Sequence, residues 1–161
     1  MTRQRTENDG MFKRILLATD GSGNARRATR VAIELARRNG SELIVVHAIP
    51  QPVMPASAPL ATSGTAFGPF LEEYYERSRQ AARDLIREAV NLAHEQGVEA
   101  RGETLDAPEA IVEQLVDAAK NEKVDLVVAG TRGLTGFRKL LLGSVSGGLV
   151  SHAHCAVLIV R

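Results

Sequence analysis

Cysteine is nearly absent from this chain, and long apolar runs are absent altogether. The single thiol, Cys155, cannot form an intrachain disulfide, so the sequence is compatible with a reducing compartment. No apolar run approaches the roughly 18 residues of a membrane span, and residues 1–10 lack the hydrophobic core of a signal peptide. We therefore expect a cytoplasmic protein without a membrane span.

The chain also lacks an excess of either charge. Its 161 residues include 20 basic and 19 acidic side chains, and the formal net charge is +1. This balance gives no electrostatic signature of a nucleic-acid partner, so we expect none. With 44% hydrophobic residues, the composition is that of one ordinary globular domain. Residues 1–10 carry no apolar residue after Met1 and predict a disordered tail, which leaves 11–161 for the domain.

Short apolar runs alternate with amphipathic helical patterns through the rest of the chain. The runs predict five strands, at residues 15–18, 43–48, 98–104, 124–129 and 156–160. Apolar stripes predict four helices between them, the third with Asp106 as its N-cap and the fourth starting at Ser144. Strands that alternate with helices form parallel sheets through right-handed crossovers. The predicted fold class is therefore α/β: a single doubly wound, Rossmann-like domain with a five-stranded parallel sheet and helices on both faces.

Two long loops interrupt this alternation. Residues 50–69 carry five of the six prolines and no charged side chain, which predicts a surface loop that is mobile without ligand. The segment from Val127 to Ser146 carries glycines at 130, 133, 136 and 143 and leads into a helix. Glycines allow close approach of the main chain to a ligand, and helix N-termini attract anions. This second loop predicts a phosphate site at a strand end, with an ordinary structural turn as the alternative.

The spacing Gly130-x2-Gly133-x9-Gly143-Ser144 is similar to the motif of ATP-binding universal stress proteins. The resemblance extends over residues 13–161 and includes the segments ILLATDGS, VVHAI, DLVVAGTRG and LLLGSVS. It implies that ATP, with or without a magnesium ion, is held by a set of eleven residues, with Asp20 as the main polar contact near the ribose and 143–146 at the phosphates. The set consists of Ala18, Thr19, Asp20, Ala48, Gly130, Arg132, Gly133, Gly143, Ser144, Val145 and Ser146.

The same resemblance implies a nucleotide-dependent stress-response or regulatory module, and a homodimer paired through the last strand. Slow ATP hydrolysis and a nucleotide-free interaction role are the alternatives. No Ser-His-Asp or Cys-His arrangement is recognisable in the sequence, so binding is favoured over catalysis. The chain departs from the family text at three places: Gly147-Gly148 replaces a polar pair, Ala156 a proline and Asp106 a glycine.

Two other kinds of site fit the sequence less well. The turn from Gly21 to Arg26 has two glycines of a dinucleotide fingerprint, but an arginine stands at the third position and no acid ends the second strand. We interpret it as a helix start capped by Ser22 or Asp20. A Walker-type loop is missing from the sequence. The group His152, His154 and Cys155 offers ligand types without the paired spacing of a zinc site, so no metal is expected.

Overall fold

The computed structural model describes residues 10–50, 68–107, 110–131 and 142–161. In this part of the chain five strands alternate with four helices. The strands are β1 (Arg14–Ala18), β2 (Glu42–Pro50), β3 (Ala100–Ala107), β4 (Leu126–Gly130) and β5 (Ala156–Val160), and the helices are α1 (Gly23–Asn39), α2 (Gly68–Glu95), α3 (Ile111–Asn121) and α4 (Ser144–His152). None of the described helices is long and apolar enough to cross a membrane.

The five strands are parallel and lie in the order β3-β2-β1-β4-β5. The chain builds outward from β1 through β2 and β3, and then returns to the other side of β1 with β4. Strand order therefore reverses between β1 and β4, where Ala18 lies opposite Ala129. The predicted doubly wound fold is confirmed, and its switch point lies where two of the candidate segments leave the sheet.

Helices cover both faces of the sheet, which explains why the middle of the central strand β1 is apolar at successive positions. Ile15 and Leu17 pack with α1 and α2, whereas Leu16 between them packs with α3 and α4. All three side chains are fully buried. Because successive side chains of a strand point to opposite faces, a strand covered on both faces needs an apolar residue at every position.

The third strand and the helix after it differ from their predicted bounds. β3 covers Ala100–Ala107 instead of 98–104, and Asp106, the predicted N-cap of the third helix, lies within the strand. The nine-residue β2 offers backbone partners along this whole length, so the ladder continues through polar residues that carry no apolar signal. α3 begins at Ile111 after Ala110, whose side chain makes no capping hydrogen bond.

The strand before the predicted loop at 50–69 and the helix after it both extend into the predicted range. Pro50 closes β2, and α2 begins at Gly68 with Pro69 in its first turn. Proline suits that position because the first N–H groups of a helix have no intrahelical partner. Residues 51–67 lie outside the described residues, as does the predicted tail apart from Gly10. The mobility expected for the loop and the tail therefore stays a prediction.

The first helix begins and ends as its turn residues indicate. The Ser22 hydroxyl accepts a hydrogen bond from the N–H of Ala25 at 3.2 Å, so Ser22 is the N-cap. Asp20 instead accepts the N–H of Ser22 at 3.0 Å and shapes the turn before the helix. At the other end, Gly40 adopts the left-handed conformation with φ 67°, which glycine takes without strain.

The two glycines of α4 have different surroundings. A β-carbon at Gly148 would lie 2.6 and 2.8 Å from the two methyl groups of Val112 on α3. A β-carbon at Gly147 would meet only Cβ of Leu142, at 4.0 Å. The close approach of α3 and α4 therefore requires glycine at 148 and leaves 147 open to a side chain.

Candidate functional site

The segment after β1 is fixed by hydrogen bonds to β2. The N–H of Thr19 donates to the carbonyl of Val46 at 3.0 Å, and Nδ1 of His47 lies 2.7 Å from the carbonyl oxygen of Thr19. Because a carbonyl oxygen only accepts, Nδ1 of His47 carries the proton. Sequence reasoning missed this contact, since a lone strand-end histidine gives no signal of its partner.

Thr19 occupies this segment with its polar backbone groups already paired. Its side chain faces α1 and α2, and 7% of the residue is exposed. The contact of Thr19 with the nucleotide stays a prediction. Thr19 adjoins Ala18, the last residue of β1, whose side chain lies on the opposite face by alternation, and Asp20 follows in the turn.

Asp20 and Ala48 both lie at the carboxyl edge of the sheet, the edge at which the nucleotide is predicted to bind. The half-buried Asp20 carboxylate is oriented by the N–H of Ser22. Ala48 lies within β2 opposite Leu105, and the strand continues two residues beyond its predicted end. Alternation places Ala48 on the face that Val46 shares with α3 and α4.

The loop between β4 and α4 is closed by hydrogen bonds at its two ends. The N–H of Gly143 donates to the carbonyl of Thr131 at 2.8 Å. The Ser146 hydroxyl lies 2.9 Å from the same carbonyl and 3.1 Å from the carbonyl of Gly143. The structure therefore brings the first and last glycines of the motif, Gly130 and Gly143, to one place beside β1.

Ser146 has a structural task that the motif does not reveal. It is 3% exposed, and its single hydroxyl proton is engaged by the backbone carbonyls at the loop closure. In the structure this hydroxyl joins the two ends of the loop, and its hydrogen bond to a phosphate stays a prediction. The backbone N–H of Ser146 keeps its predicted place in the first turn of α4.

The first turn of α4 has backbone N–H groups that no acceptor within the helix can pair. Gly143 is the N-cap and contributes no capping side chain. Within the described residues, the N–H groups of Ser144, Val145 and Ser146 make no hydrogen bond, because the first intrahelical donor is the N–H of Gly147. Together with the helix dipole, such groups stabilise a bound anion.

Gly130 is required by packing as well as by its place in the motif. A β-carbon there would lie 2.9 Å from the carbonyl carbon of Asn24 and 3.0 Å from the nitrogen of Ala25. The end of β4 therefore runs directly against the first turn of α1, and no side chain fits between them. Arg132 and Gly133 lie outside the described residues, so their contacts stay predictions.

The described residues contain no group of three histidine, cysteine or acidic side chains that could hold a metal ion. Of the group considered at the C-terminus, His152 is exposed and its Nδ1 contacts the carbonyl of Gly148 at 3.2 Å. Burial, and then the charge of Asp125, raise the pKa of the half-buried Cys155 thiol. A thiol with a raised pKa is a weak nucleophile at neutral pH.

The fold and the closed loop define a doubly wound α/β protein whose candidate ligand site lies between the carboxyl ends of β1 and β4. The profile of the universal stress protein family matches residues 11–161, and the chain belongs to that family. A universal stress protein of Thermus aquaticus is 41% identical over 151 residues, which cover 94% of this chain and 100% of that protein. The resemblance predicted from the sequence is confirmed.

Solved structures agree with this assignment. The universal stress protein UspA of Lactobacillus plantarum superposes with a TM-score of 0.78 at 23% identity, covering 92% of this chain and 97% of that one. A universal stress protein solved in complex with cAMP has a TM-score of 0.63 at 26% identity, covering 93% and 97%. Two others were solved with dAMP (Archaeoglobus fulgidus, TM-score 0.66, 21% identity, covering 94% and 99%) and with AMP (Arabidopsis thaliana, TM-score 0.62, 20% identity, covering 92% and 90%).

Proposed function

We propose that the chain binds an adenine nucleotide, with ATP as its ligand, between the carboxyl ends of β1 and β4. The observation that carries this proposal is the closure of the glycine loop through the Gly143 N–H and the Thr131 carbonyl, 2.8 Å apart. The first turn of α4 therefore lies close to the point between β1 and β4 where strand order reverses. Ligands of doubly wound sheets bind at such points. Residues 11–161 would then form one nucleotide-binding domain.

Family members supply the chemical class of the ligand. The relatives solved with cAMP, dAMP and AMP share an adenine base joined to a sugar and a phosphate. The choice of ATP rests on the glycine motif of this chain, whose nine-residue interval leaves a loop long enough to follow several phosphates. The resemblance to the family also allows a magnesium ion beside the phosphates.

The described residues divide the task between base and phosphates. Asp20 offers a carboxylate for sugar hydroxyls, and Ala48 offers its backbone to the adenine base. The N–H groups of Ser144, Val145 and Ser146 face the phosphates, where hydrogen bonds to a charged group contribute about 1.5–3 kcal/mol each. Arg132 and Gly133 would complete the cradle from residues outside the described ranges.

No catalytic base is assigned to this site, so we infer a binding module that reports nucleotide level to the cytoplasmic stress response. Such a module needs the bound and free states to differ in a surface that a partner reads. Slow hydrolysis would appear as phosphate release from bound ATP over hours, and a nucleotide-free interaction protein would show no ATP binding at all. Measuring ATP turnover alongside ATP affinity distinguishes these three roles.

The backbone cradle is tested by removing one N–H without disturbing the helix. Ser144 is the first residue of α4, a position where proline is well tolerated, and Gly143 before it has φ −72° and ψ 168°, the extended conformation that precedes proline. Ser144→Pro removes the hydroxyl and the N–H, whereas the control Ser144→Ala removes the hydroxyl alone. We expect the proline variant to bind ATP at least about tenfold more weakly than the alanine variant.

Calorimetric titration with ATP measures both affinities, and far-ultraviolet circular dichroism with a thermal melt checks that each variant is folded. Equal ATP affinity in folded Ser144→Pro and Ser144→Ala proteins would contradict the role of the α4 N-terminus. An absence of ATP binding in the parent chain, after removal of any copurified nucleotide, would contradict the proposed function as a whole.

We also propose a homodimer through β5. Within the described sheet this strand pairs only with β4, and its residues Val157 to Val160 stay half-buried. An apolar edge strand invites pairing with another copy. Light scattering of the parent chain should give a dimer, and the combined change Val157→Lys with Ile159→Lys should give a monomer. A monomeric parent at micromolar concentration, or a dimer that persists in the variant, would contradict this arrangement.

A further inference from the structure

A cavity of about 120 Å³ lies between α1 and α2, beneath the turn that follows β1. Thr19 lines it from the sheet, and the turn itself approaches α2 where a β-carbon at Gly21 would lie 3.2 Å from Leu85. Both helices cover the face of the sheet opposite to α4. The cavity is therefore separate from the phosphate end of the proposed nucleotide site.

Of the polar groups that line this cavity, the Thr29 hydroxyl donates to the carbonyl of Ala25 at 2.9 Å, whereas three other donors have no described acceptor. The guanidinium groups of Arg26 and Arg30, one helical turn apart on α1, lie at the exposed rim of the cavity and make no hydrogen bond or ion pair within the described residues. Thr19 is 7% exposed, and its hydroxyl accepts a long contact from the Gly21 N–H at 3.4 Å but has no acceptor for its own proton among the described groups. A buried donor of this kind is costly unless something accepts its proton.

Apart from the exposed Arg27, the other arginines of the described helices have partners. Arg37 and Arg38 pair with Glu34 on α1, and Arg79 and Arg87 pair with acids near or on α2. The free arginines are thus concentrated in the first two turns of α1, where two of them face the cavity. This distribution points to an anion supplied from outside.

The charge and the apolar wall of the cavity limit what that anion is. Glu88 lines the cavity as well, at no ion-pairing distance from either arginine, so the net charge around the cavity is one positive unit. A monoanion balances it, whereas a phosphate dianion would be repelled by Glu88. Leu85 and Leu92 provide an apolar wall that suits a short hydrocarbon chain.

We propose that this cavity binds a short monocarboxylate, with the carboxylate held by Arg26, Arg30 and the Thr19 hydroxyl and the alkyl chain against Leu85 and Leu92. A cavity of about 150 Å³ holds benzene, with its six carbon atoms. A volume of about 120 Å³ therefore suits a molecule of butyrate size. Because Thr19 adjoins Asp20, an occupied cavity would also stiffen the turn that carries the Asp20 carboxylate.

The test titrates the full chain with sodium butyrate and follows the methyl resonances of Leu85 and Leu92 by NMR. Butyramide, which has the same shape without the charge, is the ligand control. Arg26→Gln and Arg30→Gln should each weaken butyrate binding about threefold to tenfold. Arg27→Gln is the matched protein control, because Arg27 is exposed like Arg26 and Arg30 but does not line the cavity.

A gain of binding provides a test that misfolding cannot imitate. Glu88→Gln removes the one negative charge at the cavity and should strengthen butyrate binding about twofold or more. Saturable butyrate shifts in the millimolar range, lost in Arg30→Gln and kept in Arg27→Gln, would support the site. The proposal is overturned by an absence of saturable shifts, by equal binding of butyramide or inorganic phosphate, or by equal losses in Arg27→Gln and Arg30→Gln. None of these outcomes depends on ATP binding, so the nucleotide proposal is tested independently.

Discussion

The two adjacent glycines of α4 allow a sharp comparison of helix propensity with tertiary packing. Replacing either glycine by alanine in a helix interior stabilises the helix by about 1 kcal/mol. At Gly147 nothing opposes this gain, because the new β-carbon meets only Leu142 at 4.0 Å. Gly147→Ala should therefore raise the free energy of unfolding by about 0.5–1 kcal/mol.

At Gly148 the same gain is opposed by Val112. The new β-carbon would lie 2.6 Å from Cγ2 and 2.8 Å from Cγ1 of that valine, and a β-branched side chain in a helix has little rotamer freedom to move away. Overpacking of this kind costs about 1–3 kcal/mol. Since the propensity gain is common to both variants, Gly148→Ala should be less stable than Gly147→Ala by about 1–3 kcal/mol.

Urea denaturation of the two variants beside the parent chain measures this difference, and thermal melts should separate them by about 2–4 °C per kcal/mol. Val112→Ala removes the obstructing methyl groups and should recover most of the cost of Gly148→Ala in a double-mutant cycle. If Gly148→Ala stabilises the protein as much as Gly147→Ala does, the close packing of α3 on α4 is wrong.

Three further predictions follow from the described contacts. Ser22→Ala removes the N-cap of α1 and should lower the free energy of unfolding by about 1 kcal/mol; unchanged urea midpoints would refute the cap. Gly130→Ala places a β-carbon 2.9 Å from the backbone of Asn24, which cannot rotate aside, and should destabilise by about 1–3 kcal/mol; a neutral result would refute that approach. The pKa of Glu34 is lowered to about 2, mainly by the hydrogen bonds from Arg37 and next by the one from Arg38. Since a lowered carboxyl pKa stabilises above the unfolded value, this contribution should persist at neutral pH and be lost as pH falls from about 4.5 towards 2. An NMR titration should give that low value, and Arg37→Gln should raise it.

The strands of the sheet centre could be predicted because burial on both faces leaves an unmistakable apolar run. β1, the central strand, differs from its predicted bounds by one residue, and β5 matches its prediction because its own run at the sheet edge is apolar. β3 was misplaced because its residues from Arg101 to Thr104 are exposed and carry no pattern. Its length is set by the backbone of β2, which no local signal reports.

The site shows the same division between local and tertiary information. Gly143 and Ser144 could be predicted at a helix start, since glycine spacing and turn chemistry are local. The Ser146 hydroxyl contact with Thr131 and the packing of Gly130 on α1 join segments far apart in the chain. Such contacts depend on the fold already being in place, so the sequence assigned both residues to the ligand alone.

The most direct test of the nucleotide site is an amide NMR titration of the nucleotide-stripped chain with ATP. The phosphates should shift the amide resonances of Ser144, Val145 and Ser146 most, and the ribose should shift that of Asp20, all with one saturation curve. The amides at the opposite, amino edge of the sheet, such as those near Glu42, should stay in place. The absence of saturable shifts, or the largest shifts at that amino edge, would contradict a nucleotide held between β1 and β4.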